Sequence, residues 1–186
     1  ELTSTYSFGQ YSNDGGVVSN SLTEVKERNT AGFAEYEFAF GNFSANAGLR
    51  YEHVKSNYYE AGIYQSGLSR RYADWFPSLS LAWQKGKWGV QGSYVCKIAR
   101  PSYNWLRNEM QYDNRYFYEG GNPYLRPERV QSVSLSGSYS WLNAEVGYEY
   151  TKDKMLWTAT LYNGQDIGVS SNSNFDSHQY LYASLT

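Results

Sequence analysis

Five acidic residues, Glu35, Glu37, Glu52, Glu145 and Glu149, fall on the polar side of alternating segments. Two carboxyls held roughly 5 to 10 Å apart can cleave a glycosidic bond, one acting as acid and the other as base or nucleophile. That chemistry needs one acid kept protonated by its surroundings, and no residue pattern singles one out. The plainer expectation is a polar wall on which these acids pair with Arg50 and Lys97. No serine stands at a spacing from a histidine and an acid that identifies a triad, so no catalytic residue is assigned and no enzyme is expected. The two histidines, His53 and His178, lie far apart without partners at ligand spacing, so no metal site and no cofactor are expected. The lone Cys96 cannot form an internal disulfide. It sits in an apolar alternation and reads as a buried or lipid-facing thiol.

A different kind of chemistry is offered by the stretch from Arg100 to Glu128, RPSYNWLRNEMQYDNRYFYEGGNPYLRPE, which holds three of the four prolines. It shows no helical or strand period. Arg100-Pro101, Asn122-Pro123 and Arg126-Pro127 push the preceding residue out of the helical region, and Gly120-Gly121 supplies permissive backbone. A long loop of this kind is functional or disordered, and its dense aromatics argue against disorder. Tyr103, Trp105, Tyr112, Tyr116 and Tyr118 are the candidate ligand-binding residues, because flat amphipathic rings stack on a sugar or siderophore at little entropic cost. Their alternative role is to pack against neighbouring loops.

The elements that carry this loop are read from period 2. In FSANAGLRYE, Phe43, Ala45, Ala47, Leu49 and Tyr51 point one way, while Ser44, Asn46, Gly48, Arg50 and Glu52 point the other. WGVQGSYVCK sets Trp88, Val90, Tyr94 and Cys96 against Gln91, Ser93 and Lys97, and LNAEVGYEYT sets Val146 and Tyr148 against Glu145 and Glu149. Further strands are expected over Leu2 to Phe8, Ala34 to Phe40, Trp75 to Trp83 and Val130 to Tyr139. Tight turns are expected at Gly41-Asn42, Lys85-Gly86 and near Ser140, and Asn163-Gly164 is expected to close two longer arms, Lys154 to Tyr162 and Gln165 to Asn172. The intervening links, Gly9 to Arg28, Lys55 to Tyr72 and Ala99 to Arg129, are long, so short and long connections alternate.

Composition bounds the class. The chain has 186 residues, 20 Tyr, 8 Phe and 6 Trp, and a net charge of −2, which suits one domain and gives no electrostatic case for nucleic acid. A mean hydropathy of −0.67 is too polar for a membrane helix, but barrel strands alternate and average out to polar. Strands of about ten residues, short turns at one end, long loops at the other and aromatics near strand ends are the pattern of an outer-membrane barrel. The competing class is a soluble secreted or surface β-sandwich that binds glycan through exposed aromatics.

ARPSYNWL followed by YFYEGGNPYLRPERVQSVSLSGSY resembles the C-terminal barrel region of TonB-dependent outer-membrane receptors, within the outer membrane protein β-barrel family. After Arg100-Pro101 comes an aromatic loop, and Gly121, Asn122, Pro123, Leu125, Pro127 and Glu128 match a Gly-Asn-Pro-x-Leu-x-Pro-Glu element leading into the next strand. AGLRYE and WFPSLSLAW look like further counterparts. The residue reading of the element is mainly structural: prolines fix φ, Asn122 turns the chain and Glu128 meets a cation. The resemblance implies an all-β, antiparallel, up-and-down transmembrane barrel in the cell outer membrane, of about 22 strands in receptors of this type. About eight are present here, so residues 1–186 are expected to form a single barrel segment without plug domain, signal peptide or soluble domain. The implied function is uptake of a siderophore, haem or glycan. The implied partners are outer-membrane lipid, a small-molecule or glycan ligand, and a TonB-type energy-coupling protein acting through a plug that this chain does not supply.

Overall fold

The computed structural model describes residues 2–10, 21–162 and 166–186. Its strands in chain order are β1 (Leu2–Gln10), β2 (Ser21–Phe40), β3 (Phe43–Glu60), β4 (Ile63–Tyr64), β5 (Arg70–Lys85), β6 (Trp88–Ala99), β7 (Met110–Asn114), β8 (Phe117–Gly120), β9 (Glu128–Tyr139), β10 (Leu142–Leu161) and β11 (Gly168–Leu185). They form one mixed sheet in the order β1-β2-β3-β5-β6-β9-β10-β11-β8-β7, with β4 paired to β3, curled into a half-barrel. A sandwich would need two facing sheets; the described residues make one.

Eight long strands build the wall, each antiparallel to the next, as period 2 led one to expect. The other three are short, and β8 pairs with β11 in parallel through Phe117↔Gly168, Tyr118↔Val169 and Glu119↔Ser170. The expectation of about eight strands, all antiparallel, is therefore corrected to eleven in a mixed sheet. The missed strands lie mainly in the segment expected to lack structure, which contains a turn of 3-10 helix at Tyr103–Leu106 as well as β7 and β8. Strands of four and five residues are too short to show a period. Two of the long links also shrink, because β2 starts at Ser21 and β3 runs to Glu60. These outer ends lose the apolar-out pattern yet stay paired, as in Val25↔Tyr58 and Thr23↔Glu60.

The convex face matches the expected outward set. Leu49, Val90, Val146 and Tyr148 are exposed there, whereas Arg50, Glu52, Gln91, Glu145 and Glu149 alternate onto the concave face. Phe40, Phe43, Trp83, Trp88 and Tyr139 gather on the convex side near the short turns, with ring contacts Phe43–Trp83 at 6.4 Å and Trp88–Tyr139 at 4.3 Å. Tyr51–Trp75, at 4.7 Å, stands further along the same face. Phe43 to Tyr51 is about 26 Å along a strand at ~3.3 Å per residue. A tilt of roughly 40° shortens this to about 20 Å, near the apolar band of ~25 Å between the aromatic girdles of such barrels.

Each tight turn joining two long wall strands has a left-handed first residue: Gly41 (φ +56°), Gly86 (φ +61°) and Ser140 (φ +57°). The second turn falls on Gly86-Lys87, since Lys85 pairs with Trp88. This is one residue later than expected, and it puts the glycine where positive φ is needed. The arms of the last hairpin pair down to Leu161↔Gly168; Asn163 and Gly164 lie outside the described residues. Pro77 marks a further break. It has no N–H to give a ladder, and pairing of β5 with β6 ends next to it at Ser78↔Val95, while β3 stays paired to β5 as far as Arg70.

Candidate functional site

The link between β6 and β9 folds back over the concave face and closes on itself. Trp105 N–H donates to Ser102 O at 3.0 Å, Asn122 N–H to Trp105 O at 2.6 Å and Gly121 N–H to Glu109 O at 3.2 Å. A Cβ on Gly121 would overlap the Arg107 carbonyl, which is why glycine stands there. Arg107 is buried and pairs with Glu119 at 3.1 Å.

From this knot, bonds run to wall strands on both sides. Thr23 Oγ1 of β2 donates to Glu109 Oε1 at 2.5 Å, and Tyr58 Oη of β3 donates to Leu106 O at 3.0 Å. Burial pushes the Tyr58 hydroxyl up to about 12, so the phenol stays protonated and able to donate. Arg70 of β5 donates through Nη2 to Pro123 O at 2.7 Å and through Nη1 to Leu125 O. Asn122 Nδ2 donates to Asn172 O of β11 at 3.0 Å, and its Oδ1 accepts Tyr124 N–H at 3.0 Å in an Asx turn. Asn174 binds both Arg126 N–H and Arg126 O. Leu125 is fully buried. Glu128 accepts Met155 N–H at 2.6 Å and Lys154 Nζ at 3.3 Å. The residues of the Gly-Asn-Pro-x-Leu-x-Pro-Glu element thus hold a loop across β5, β10 and β11.

The candidate aromatics are divided rather than gathered. Tyr103 stacks on Tyr6 at 5.5 Å and lines a cavity of about 210 Å³ under the loop, together with Tyr58, Arg70, Tyr72, Arg100 and Pro101. Trp105, Tyr112 and Tyr116 are exposed on the outer side of the loop, joined by Tyr124 at 70% exposure, which sequence reasoning left out of the set. Tyr118 is only 3% exposed. It packs against Tyr112 at 5.8 Å and Tyr162 at 5.5 Å, supporting the β7–β8 hairpin. Sequence reasoning also passed over Arg70, Thr23, Glu109 and Asn174. Arg70 stands in a visible basic pair with Arg71; the others carry no sequence signal, because each acts through a partner dozens of residues away.

The acids of the concave wall are engaged. Glu52 lies between Arg50 at 2.6 Å and Arg100 at 2.5 Å, and Arg100, not Lys97, is its second cation. Glu35 and Glu37 share Asn46 Nδ2 at 2.8 and 3.1 Å, Glu145 accepts Tyr182 Oη at 2.8 Å, and Glu149 accepts Ser132 Oγ at 3.0 Å. Among the described residues no group of three or more His, Cys, Asp or Glu could hold a metal ion. Cys96 is free and buried.

Comparison with solved structures places this architecture. The hemophore receptor HasR of Serratia marcescens, in complex with its hemophore HasA and heme, superposes with a TM-score of 0.64 at 14% identity over 96% of this chain and 34% of its own. The FrpB iron transporter of Neisseria meningitidis gives 0.55 at 17% identity over 90% and 24%. The siderophore receptor PirA of Pseudomonas aeruginosa gives 0.54 at 12% over 89% and 40%. At these identities the likeness is one of fold, and the chain spans well under half the length of each. No curated protein sequence matches closely enough to add a relative. The profile of the outer membrane protein beta-barrel family matches residues 1–186. The chain belongs to that family and has its place in the cell outer membrane.

Proposed function

We propose that this chain forms part of the barrel of a TonB-dependent receptor that takes up a small nutrient, a siderophore, haem or glycan, across the outer membrane. The observation that carries this reading is the anchoring of the 100–127 loop to wall strands on both sides of it, which holds exposed aromatics outward and roofs a cavity. Rigid scaffolds that position loops in this way serve recognition. The similar structures are receptors and transporters for heme, iron and siderophore by their own descriptions, which supports uptake as the task. Tyr103, Trp105, Tyr112 and Tyr116 are the proposed ligand contacts, with Tyr118 as their support. The concave acids serve as a polar lumen rather than as catalysts, since each has a partner, and the energy-coupling protein acts through a plug outside this chain.

Growth of a producing strain on a limiting nutrient, with and without its energy-coupling protein, tests this reading. Uptake lost both on removing that protein and on deleting residues 103–118 is expected. Uptake indifferent to the coupling protein would contradict it.

A further inference from the structure

Beneath the loop, two side chains of opposite charge line one cavity without meeting. Arg70 and Glu27 both face it, yet neither forms an ion pair among the described residues. A guanidinium offers five N–H donors. Those of Arg70 reach Tyr72 Oη, Leu125 O and Pro123 O, which are all neutral acceptors, so donors and the whole charge remain. Partly buried charges without partners are costly. A ligand bearing both signs would relieve both.

We propose that this cavity binds a small zwitterion, a free amino acid. Its carboxylate meets Arg70, and its ammonium meets Glu27. Tyr58, Tyr72 and Tyr103 with Pro101 and Pro127 form the apolar walls for its body. At about 210 Å³ the cavity lies below the ~300–1,000 Å³ usual for drug-sized ligands, so it takes one residue-sized group. The proposal deepens the reading of the chain as a receptor wall and rests on it.

Calorimetric titration of the protein in detergent tests it, with L-phenylalanine as probe and N-acetyl-L-phenylalanine and L-phenylalaninamide as controls. L-Phenylalanine is expected to bind, and each blocked form about tenfold or more weaker. In Glu27→Gln, acetylated and free amines should bind within about threefold of each other, while the amide stays weak. Arg70 also holds the loop, so Glu27→Gln is the diagnostic variant, with unchanged heat-modifiable gel mobility confirming its fold. No binding of L-phenylalanine, equal binding of the blocked forms, or a preference for free amine that survives Glu27→Gln would overturn the assignment. Coupled uptake of another nutrient without zwitterion binding would remove only this site. Zwitterion binding without coupled uptake would remove only the transport reading.

Discussion

The carboxylate of Glu128 accepts the main-chain N–H of Met155 at 2.6 Å, two residues past Asp153, a residue of β10 in the left-handed region at φ +56°. Asp153 in turn pairs with Arg126 at 2.6 Å, and its carbonyl accepts Asn174 Nδ2 at 2.7 Å. The loop element and the irregularity in β10 therefore stabilise each other.

Removing that acceptor leaves a backbone donor unmatched. Glu128→Ala should destabilise the loop by about 1–3 kcal/mol, whereas Glu128→Gln, which keeps an acceptor for Met155, should cost less. Protease sensitivity of residues 100–127 measures the difference. Equal sensitivity of the two variants would separate the loop from β10.

The convex face should tolerate no charge. Leu49→Arg is expected to cost about 2–4 kcal/mol at mid-membrane and to block assembly, while Glu145→Gln on the concave face is tolerated. Heat-modifiable mobility of outer-membrane fractions reports which variant assembles.

Ser140 occupies, at φ +57°, the turn position that Gly41 holds between β2 and β3 and Gly86 between β5 and β6. Left-handed backbone costs an L-residue roughly 1–2 kcal/mol, partly offset by the larger chain entropy that glycine loses. Ser140→Gly should therefore raise the urea midpoint of the refolded protein by up to about 1 kcal/mol of stability. Ser140→Val should lower it.

Tyr58 gives the loop a dependence on alkali. Its folded-state value, raised from 10.0 to about 12 chiefly by burial, means that the neutral phenol is favoured in the folded form. Its contribution is thus fully present below about pH 10 and is lost as pH rises through about 12. Loop protection from protease should fall across that window in the native protein, and the step should be missing in Tyr58→Phe.

How far the fold could be read in advance depended on what lies on either side of each strand. Phe43 to Glu52 and Trp88 to Lys97 separate lipid from a polar interior, so their alternation is strict and their faces were legible. Ser21 to Arg28 stands beyond the apolar band; its buried side, with Thr23 and Val25, faces the loop while Leu22 is exposed on the other, so apolar residues no longer keep to one face and the strand went unseen. The loop hid its structure for another reason: β8 is held by Gly168 to Ser170, about 50 residues away, so local sequence carries no trace of the pairing. For the site, the Gly-Asn-Pro-x-Leu-x-Pro-Glu element was visible as a motif, but its wall partner Arg70 was not. Tyr118 looked like its neighbours Tyr112 and Tyr116 because a strand of four residues does not declare which side is buried.

The central claim is that the convex face of this sheet meets lipid. Single cysteines placed along β6 in a Cys96→Ser background, carrying a fluorophore and reconstituted with brominated lipid, test it most directly. Residues 90, 92 and 94 should be quenched by lipid, and residues 89, 91 and 93 should instead react with a water-soluble maleimide. Quenching without a two-residue period, or with the two sets exchanged, would contradict the account.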